Sequence, residues 1–235
     1  MSKKELEEPF TTEALNDLYA ELSAAGGVSV TDLRSHVAAF SSRPISKADL
    51  QGYREGKKPW KKLRDEVVPV EQFLSAHYPD TTRVRFPLDD QPPDAWIALD
   101  PDSAMIGIEV TGAHARAGIE VAKSLAAGKP VPGFIPLSDN APATTFAKAR
   151  ARGRIMNART TVDLVIDEAI AARLSGKDDA KFEGHILLIT APIRSSPNRS
   201  EQEMQETHSE RASALPFSEV YVIDQSRGRP IIRLK

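Results

Sequence analysis

Apolar residues recur at helical spacing through roughly the first 80 positions. Thr11 to Ala24 carries Leu15, Leu18, Tyr19 and Leu22 on one face and stops at Gly26-Gly27. Ser29 to Phe40 repeats the pattern with Val30, Leu33, Val37 and Phe40, and Ser46, followed by Asp49, opens a third helix toward Tyr53. A helix around Val70 to His77 precedes three short strands, Thr82 to Pro87, Ala95 to Leu99 and Met105 to Thr111. Asp89-Asp90-Gln91-Pro92-Pro93 and Asp100-Pro101-Asp102 punctuate them with turn chemistry, so the stretch reads as a β-meander. Gly112 to Pro142 is rich in Gly and Pro around one short helix, Ala115 to Ala126, and a connection of that length reads as a flap. The pattern then predicts one long helix, Thr144 to Ser175, ended by Gly176. It continues with an apolar strand His185 to Ala191, a polar helix Glu201 to Ala214, and strands Glu219 to Asp224 and Pro230 to Leu234 joined by a turn through Arg227-Gly228. This order predicts an α/β fold, a mixed sheet with helices on its faces, over residues 68–235, preceded by a small helical N-terminal region with a basic linker over 1–67.

Charge and composition narrow the function classes. In 235 residues, 31 Lys and Arg stand against 33 Asp and Glu, a net charge of −2, which excludes a polycationic nucleic-acid coat. No apolar run approaches the ~18 residues that span a bilayer, so no membrane partner is expected. MSKKELEEPF mixes both charge signs without an apolar stretch, so a secretory signal is not expected and the cytoplasm is the expected compartment. The absence of cysteine excludes disulfides, thiolate zinc sites and cysteine nucleophiles, leaving oxygen or imidazole for any metal.

Local charge changes the picture twice. Arg54 to Glu66 holds six basic and three acidic residues, and Lys57, Lys58, Lys61 and Lys62 beside Trp60 suit a nucleic-acid backbone. With the three short helices before it, this region reads either as a helix-turn-helix-like reader or as a packing module with a solvated basic linker. In the predicted long helix, Lys148, Arg150, Arg152, Arg154 and Arg159 occur with no acid between Thr144 and Thr161. At about 3.6 residues per turn, Lys148, Arg152, Ile155, Arg159, Val162 and Ile166 share one stripe, so cations lie on the apolar face. Either an anion partners them there or they are snorkelling side chains.

Strand alternation in Met105 to Thr111 puts Gly107, Glu109 and Thr111 on one face, and a tight hairpin would bring Asp94, at the start of the preceding strand, toward Glu109. Two facing carboxylates repel unless a cation lies between them, which points to a divalent metal. The same spacing also suits a Pro-Pro-Asp turn residue and a solvent-facing strand glutamate. Phosphate-loop, zinc-protease, hydrolase-elbow and dinucleotide motifs are absent, and of five scattered histidines only His114 follows the Glu109 strand closely.

The order of helix, three-strand meander, helix and strand, with Pro93-Asp94 opening the second strand and Ile108-Glu109-Val110-Thr111 on the third, resembles the PD-(D/E)XK restriction-endonuclease-like superfamily over roughly residues 68–234. The resemblance implies a restriction-endonuclease-like mixed sheet and a Mg or Mn ion held by Asp94, Glu109 and the Val110 carbonyl. Glu71, from the first helix of the domain, is the candidate for a further acidic ligand. The family's lysine position is Thr111 here, a departure, and Lys148 on the following helix is the candidate to replace it. Arg152 and Arg159 would contact flanking phosphates.

On that resemblance the expected function is a metal-dependent nuclease hydrolysing phosphodiester bonds of DNA. The alternative is a catalytically inactive nuclease-fold protein that binds nucleic acid or a protein partner, which Thr111 favours. A third possibility is that the sheet and its basic helix bind a small anion. A homodimer would supply the two sites that cutting both DNA strands takes.

Overall fold

The computed structural model describes residues 8–100, 103–152, 156–224 and 231–235. The protein is mixed α/β: seven strands follow chain order through one mixed sheet flanked by helices. The chain forms two compact units, Met1–Val110 and Thr111–Lys235. One strand is too short to announce itself in the sequence. Val28 and Ser29 pair antiparallel with Val84 and Arg83, which builds the N-terminal helices into the first unit.

In the first unit, α1 (Thr12–Ser23) and α2 (Val30–Ser42) flank that short strand, β1 (Val28–Ser29). The Thr11 side chain caps α1 by accepting from the Ala14 N–H, and Ser29 and Asp32 form a reciprocal capping box on α2. Gly27 adopts φ +56°, and a Cβ there would stand 2.3 Å from the Val84 carbonyl oxygen, so the approach of β1 to its neighbour requires glycine. Ser46 caps α3 (Lys47–Glu55) through the Asp49 N–H, as the sequence predicts.

The next stretch is helical without interruption but not uniformly α. A single turn, α4 (Trp60–Lys62), runs into a π turn, Leu63–Val67, and then into α5 (Val68–His77). Val68 N–H bonds to the Leu63 carbonyl, five residues back. Pro69 follows at once; it has no N–H for the carbonyl four residues before it, and the wider π turn accommodates the defect. Tyr19 Oη donates to the Pro59 carbonyl and accepts from Leu63 N–H, which pins the start of the π turn to α1.

Strands β2 (Arg83–Arg85), β3 (Ala95–Ala98) and β4 (Ile106–Gly112) form the expected antiparallel meander. Val84, Ile97 and Ile108 are buried, with Phe73, Leu74 and Val70 of α5 and Leu33 and Val37 of α2. Of the turn Asp100-Pro101-Asp102, the last two residues lie outside the described ones.

In the second unit, β5 (Ile186–Thr190) is buried along its whole length and runs parallel to β6 (Glu219–Ile223), which pairs antiparallel with β7 (Ile231–Arg233). Val162, Ile166, Ile170 and Leu174 of α8 (Arg159–Ser175) join Leu187, Ile189, Val220 and Val222 in the core. Helix α9 is Glu201–Ser213, opened by a Ser200/Glu203 capping box. The turn expected at Arg227-Gly228 lies outside the described residues.

Two sequence expectations are corrected here. The long helix Thr144 to Ser175 is two helices, α7 (Ala143–Ala151) and α8, with Arg152 ending the first and Ala158 capping the second. Like charges four apart (Lys148/Arg152, Arg150/Arg154) and Gly153 weaken a continuous helix there. The single basic-apolar stripe therefore does not exist, and Ile155, on which it also drew, lies outside the described residues. The connection after α6 (Ala115–Ala126) is also fastened down, unlike a free flap. Ile135 is buried with Ala117 and Phe146, while Asp139 accepts from the Arg116 N–H at 2.9 Å at the start of α6 and pairs with Arg173 at 2.6 Å. One carboxylate thus caps α6 and ties it to α8.

Asp139→Ala removes both interactions and is expected to lower stability by about 1–2 kcal/mol, read as a shift in the urea midpoint. An unchanged midpoint would mean that the connection is not held through this residue.

Candidate functional site

The meander register sets the site. Ala95 lies opposite Ile108, Trp96 opposite Gly107 and Ile97 opposite Ile106, and this register, extended one residue beyond the ladder, aligns Asp94, just before β3, with Glu109. Directly opposed residues of an antiparallel pair share a face. Asp94 Oδ2 accepts a hydrogen bond from the Val110 N–H at 2.7 Å, which fastens the first carboxylate to the backbone just after the second. Glu109 is 6% exposed, between Ile108 and Val110. It is not the solvent-facing glutamate of a half-exposed sheet that the spacing also allowed.

A third carboxylate comes from the π turn. Glu66 is 9% exposed, and its Oε2 is buried with no hydrogen-bond partner. Burial, followed by the negative charge of Asp94, pushes its carboxyl from the ordinary 4.5 up to about 7, against the opposing pull of Lys62. Lys62 Nζ stands 3.1 Å from Glu66 Oε1 and 3.5 Å from Asp90 Oδ1. Burial draws the Lys62 ammonium down, but Glu66 and Asp90 outweigh it and hold it above its ordinary value.

Glu66 was not among the acidic candidates, because the charge run around it reads as a solvated linker. A signal was present: Leu63, Glu66, Val67 and Val70 fall at spacings of three and four, which puts Glu66 on the apolar face. The sequence candidate Glu71 is buried on α5, where Ser75 Oγ donates to it at 3.0 Å and Arg34 in turn donates to Ser75. Glu71 is thus part of the α2–α5 packing.

The basic candidates separate. Lys58 and Lys61 are exposed, Lys57 pairs with Glu55 at 2.8 Å, and Lys62 turns inward. Trp60 is buried at 2% exposure and donates to Asp49, so it offers no face for a base to stack on. In the second unit, Lys148 and Arg152 are exposed at and beyond the end of α7, and Arg159 pairs with Asp163 and donates to the Asn198 carbonyl. His114 is a packing histidine: buried, stacked on Phe134 at 4.6 Å and hydrogen-bonded to the Ile135 carbonyl, with burial holding its ring below the usual value.

Three carboxylates and the Val110 carbonyl are hard oxygen donors of the kind Mg²⁺ and Mn²⁺ take, and the orphaned Glu66 Oε2 fits that chemistry. Among the described residues, no three His, Cys, Asp or Glu side chains already converge as a ready chelate. No helix among the described residues is long and apolar enough to cross a membrane. Comparison with models of protein families, with curated proteins and with solved structures finds no match to this chain.

Because the folded chain holds the Glu66 proton to higher pH than the unfolded chain does, its native state loses stability as pH rises from about 4.5 through about 7. With EDTA present, urea unfolding is expected to show a decline of about 2–3 kcal/mol across that window, and Glu66→Gln should flatten it. An identical slope in the variant would mean that Glu66 titrates normally.

Proposed function

We propose that this protein is a metal-dependent nuclease that hydrolyses phosphodiester bonds of DNA. The observation that carries the proposal is the Val110 N–H bond to Asp94, which holds that carboxylate against the strand that carries Glu109. The restriction-endonuclease-like resemblance supports it through the same residues. Asp94, Glu109, the Val110 carbonyl and Glu66 would hold the ion. A bound Mg²⁺ would lower the pKa of a coordinated water and offset charge growing on the scissile phosphate.

The chain's own residues supply the rest. Glu109, held in the middle of a strand, keeps its carboxylate fixed relative to Asp94. Exposed Lys58 and Lys61 supply charge for backbone phosphates. Arg152, Arg159 and Lys57 are further candidates for such contacts, and Lys148 for the lysine role. Thr111 occupies the position where the resemblance has a lysine, and a hydroxyl carries no charge to stabilise a hydroxide. That substitution favours the second reading, an inactive nuclease-fold protein that binds nucleic acid or a protein partner.

Plasmid and single-stranded DNA are incubated with the protein in Mg²⁺, Mn²⁺ or EDTA, beside Glu109→Ala, Asp94→Ala and Lys148→Ala. The proposal expects metal-dependent cleavage that falls at least about 100-fold in the two carboxylate variants. Retained cleavage by Lys148→Ala would remove Lys148 from the mechanism. Absence of cleavage with salt-sensitive DNA binding that survives EDTA would establish the second reading in its place.

A further inference from the structure

The Lys62 side chain is only 17% exposed and faces inward, whereas its neighbours Lys58 and Lys61 lie on the surface. Its ammonium lies 3.1 Å from Glu66 and 3.5 Å from Asp90, and it donates to the Asp89 carbonyl. These partners come from two segments that matter to the site. Glu66 is on the π turn, and Asp89 and Asp90 lie in the connection that leads through Pro93 into Asp94. Lys62 therefore ties the segment that delivers one carboxylate to the turn that delivers another.

Charge balance explains why a lysine is held there. Glu66 is buried and feels the negative charge of Asp94, and a carboxylate in a poorly solvated place is costly unless a cation lies next to it. Lys62 supplies one positive charge, but only to Oε1 of Glu66; Oε2 remains buried without a hydrogen-bond partner. A divalent ion reaching the same carboxylates would meet the ammonium at close range.

We propose that Lys62 is a tethered counter-ion of the carboxylate site, holding the charge-balancing place beside Glu66 until a divalent cation displaces it and frees the 89–93 connection. This inference rests on the reading of Asp94, Glu109 and Glu66 as a cation site. It gives Lys62 a role opposite to a phosphate contact: the residue opposes cation loading and stabilises the empty site.

The test is Mn²⁺ binding, followed by loss of the free-ion EPR signal at pH 8.5, in the full chain, Lys62→Met, Lys62→Arg and Glu109→Ala. Lys62→Met keeps an apolar stem and removes the charge, and is expected to bind Mn²⁺ about tenfold more tightly than wild type. Lys62→Arg should not gain. In wild-type protein, the Lys62 side-chain NMR signal should change from an immobilised to a mobile ammonium on adding Mg²⁺, a readout that does not depend on any variant folding. Equal or weaker binding by Lys62→Met, with wild-type binding lost in Glu109→Ala, would overturn the counter-ion role and leave the cation site standing. No Mn²⁺ binding by either wild type or Lys62→Met would overturn the cation site and the inference with it.

Discussion

Keeping carboxylates inside a small unit is the constraint on which the rest of the first unit depends. A buried carboxylate without compensation is costly, and here Glu66 on the π turn and Glu109 in β4 are buried while Asp94, just before β3, is half-buried. Asp94 is met by a backbone N–H and Glu66 by a lysine one helical turn earlier. Apolar side chains of similar volume would fill the same space without that cost. Their absence here points to a use for the charge.

The π turn is the structural device that makes this arrangement possible. Pro69 cannot complete the hydrogen bonding of a regular helix, and the five-residue turn just before it carries Glu66. Tyr19 binds both the carbonyl before that turn and the first N–H within it, so the position of Glu66 depends on α1 as well as on its own segment. The N-terminal helices are thus part of the scaffold that places the carboxylates, which is why the first unit runs to Val110.

The second unit applies the same economy to its polar groups. Asp139 serves α6 and α8 together. Asp167 on α8 accepts from Arg199 at 2.5 Å and from His208 at 2.8 Å; burial would raise its carboxyl, but those two partners outweigh burial and hold it below the usual carboxylate range. His208 is nearly fully buried at 2% exposure, so this ion-paired group is part of the packing between α8 and α9.

Local chemistry made much of the fold legible in the sequence. Alternation in Met105 to Thr111, turn residues before Asp94 and the cap at Ser46 are short-range signals, and each corresponds to an element found. Other features depend on contacts distant in sequence. Val28 and Ser29 form a strand only because Val84 and Arg83 lie beside them. The sequence by itself determined most of the helices and the β-meander that carries Asp94 and Glu109, because their signals are local. Only the tertiary structure decided that Glu66 is buried and that Lys62 faces inward, because burial and charge pairing arise from chain segments that meet only when folded.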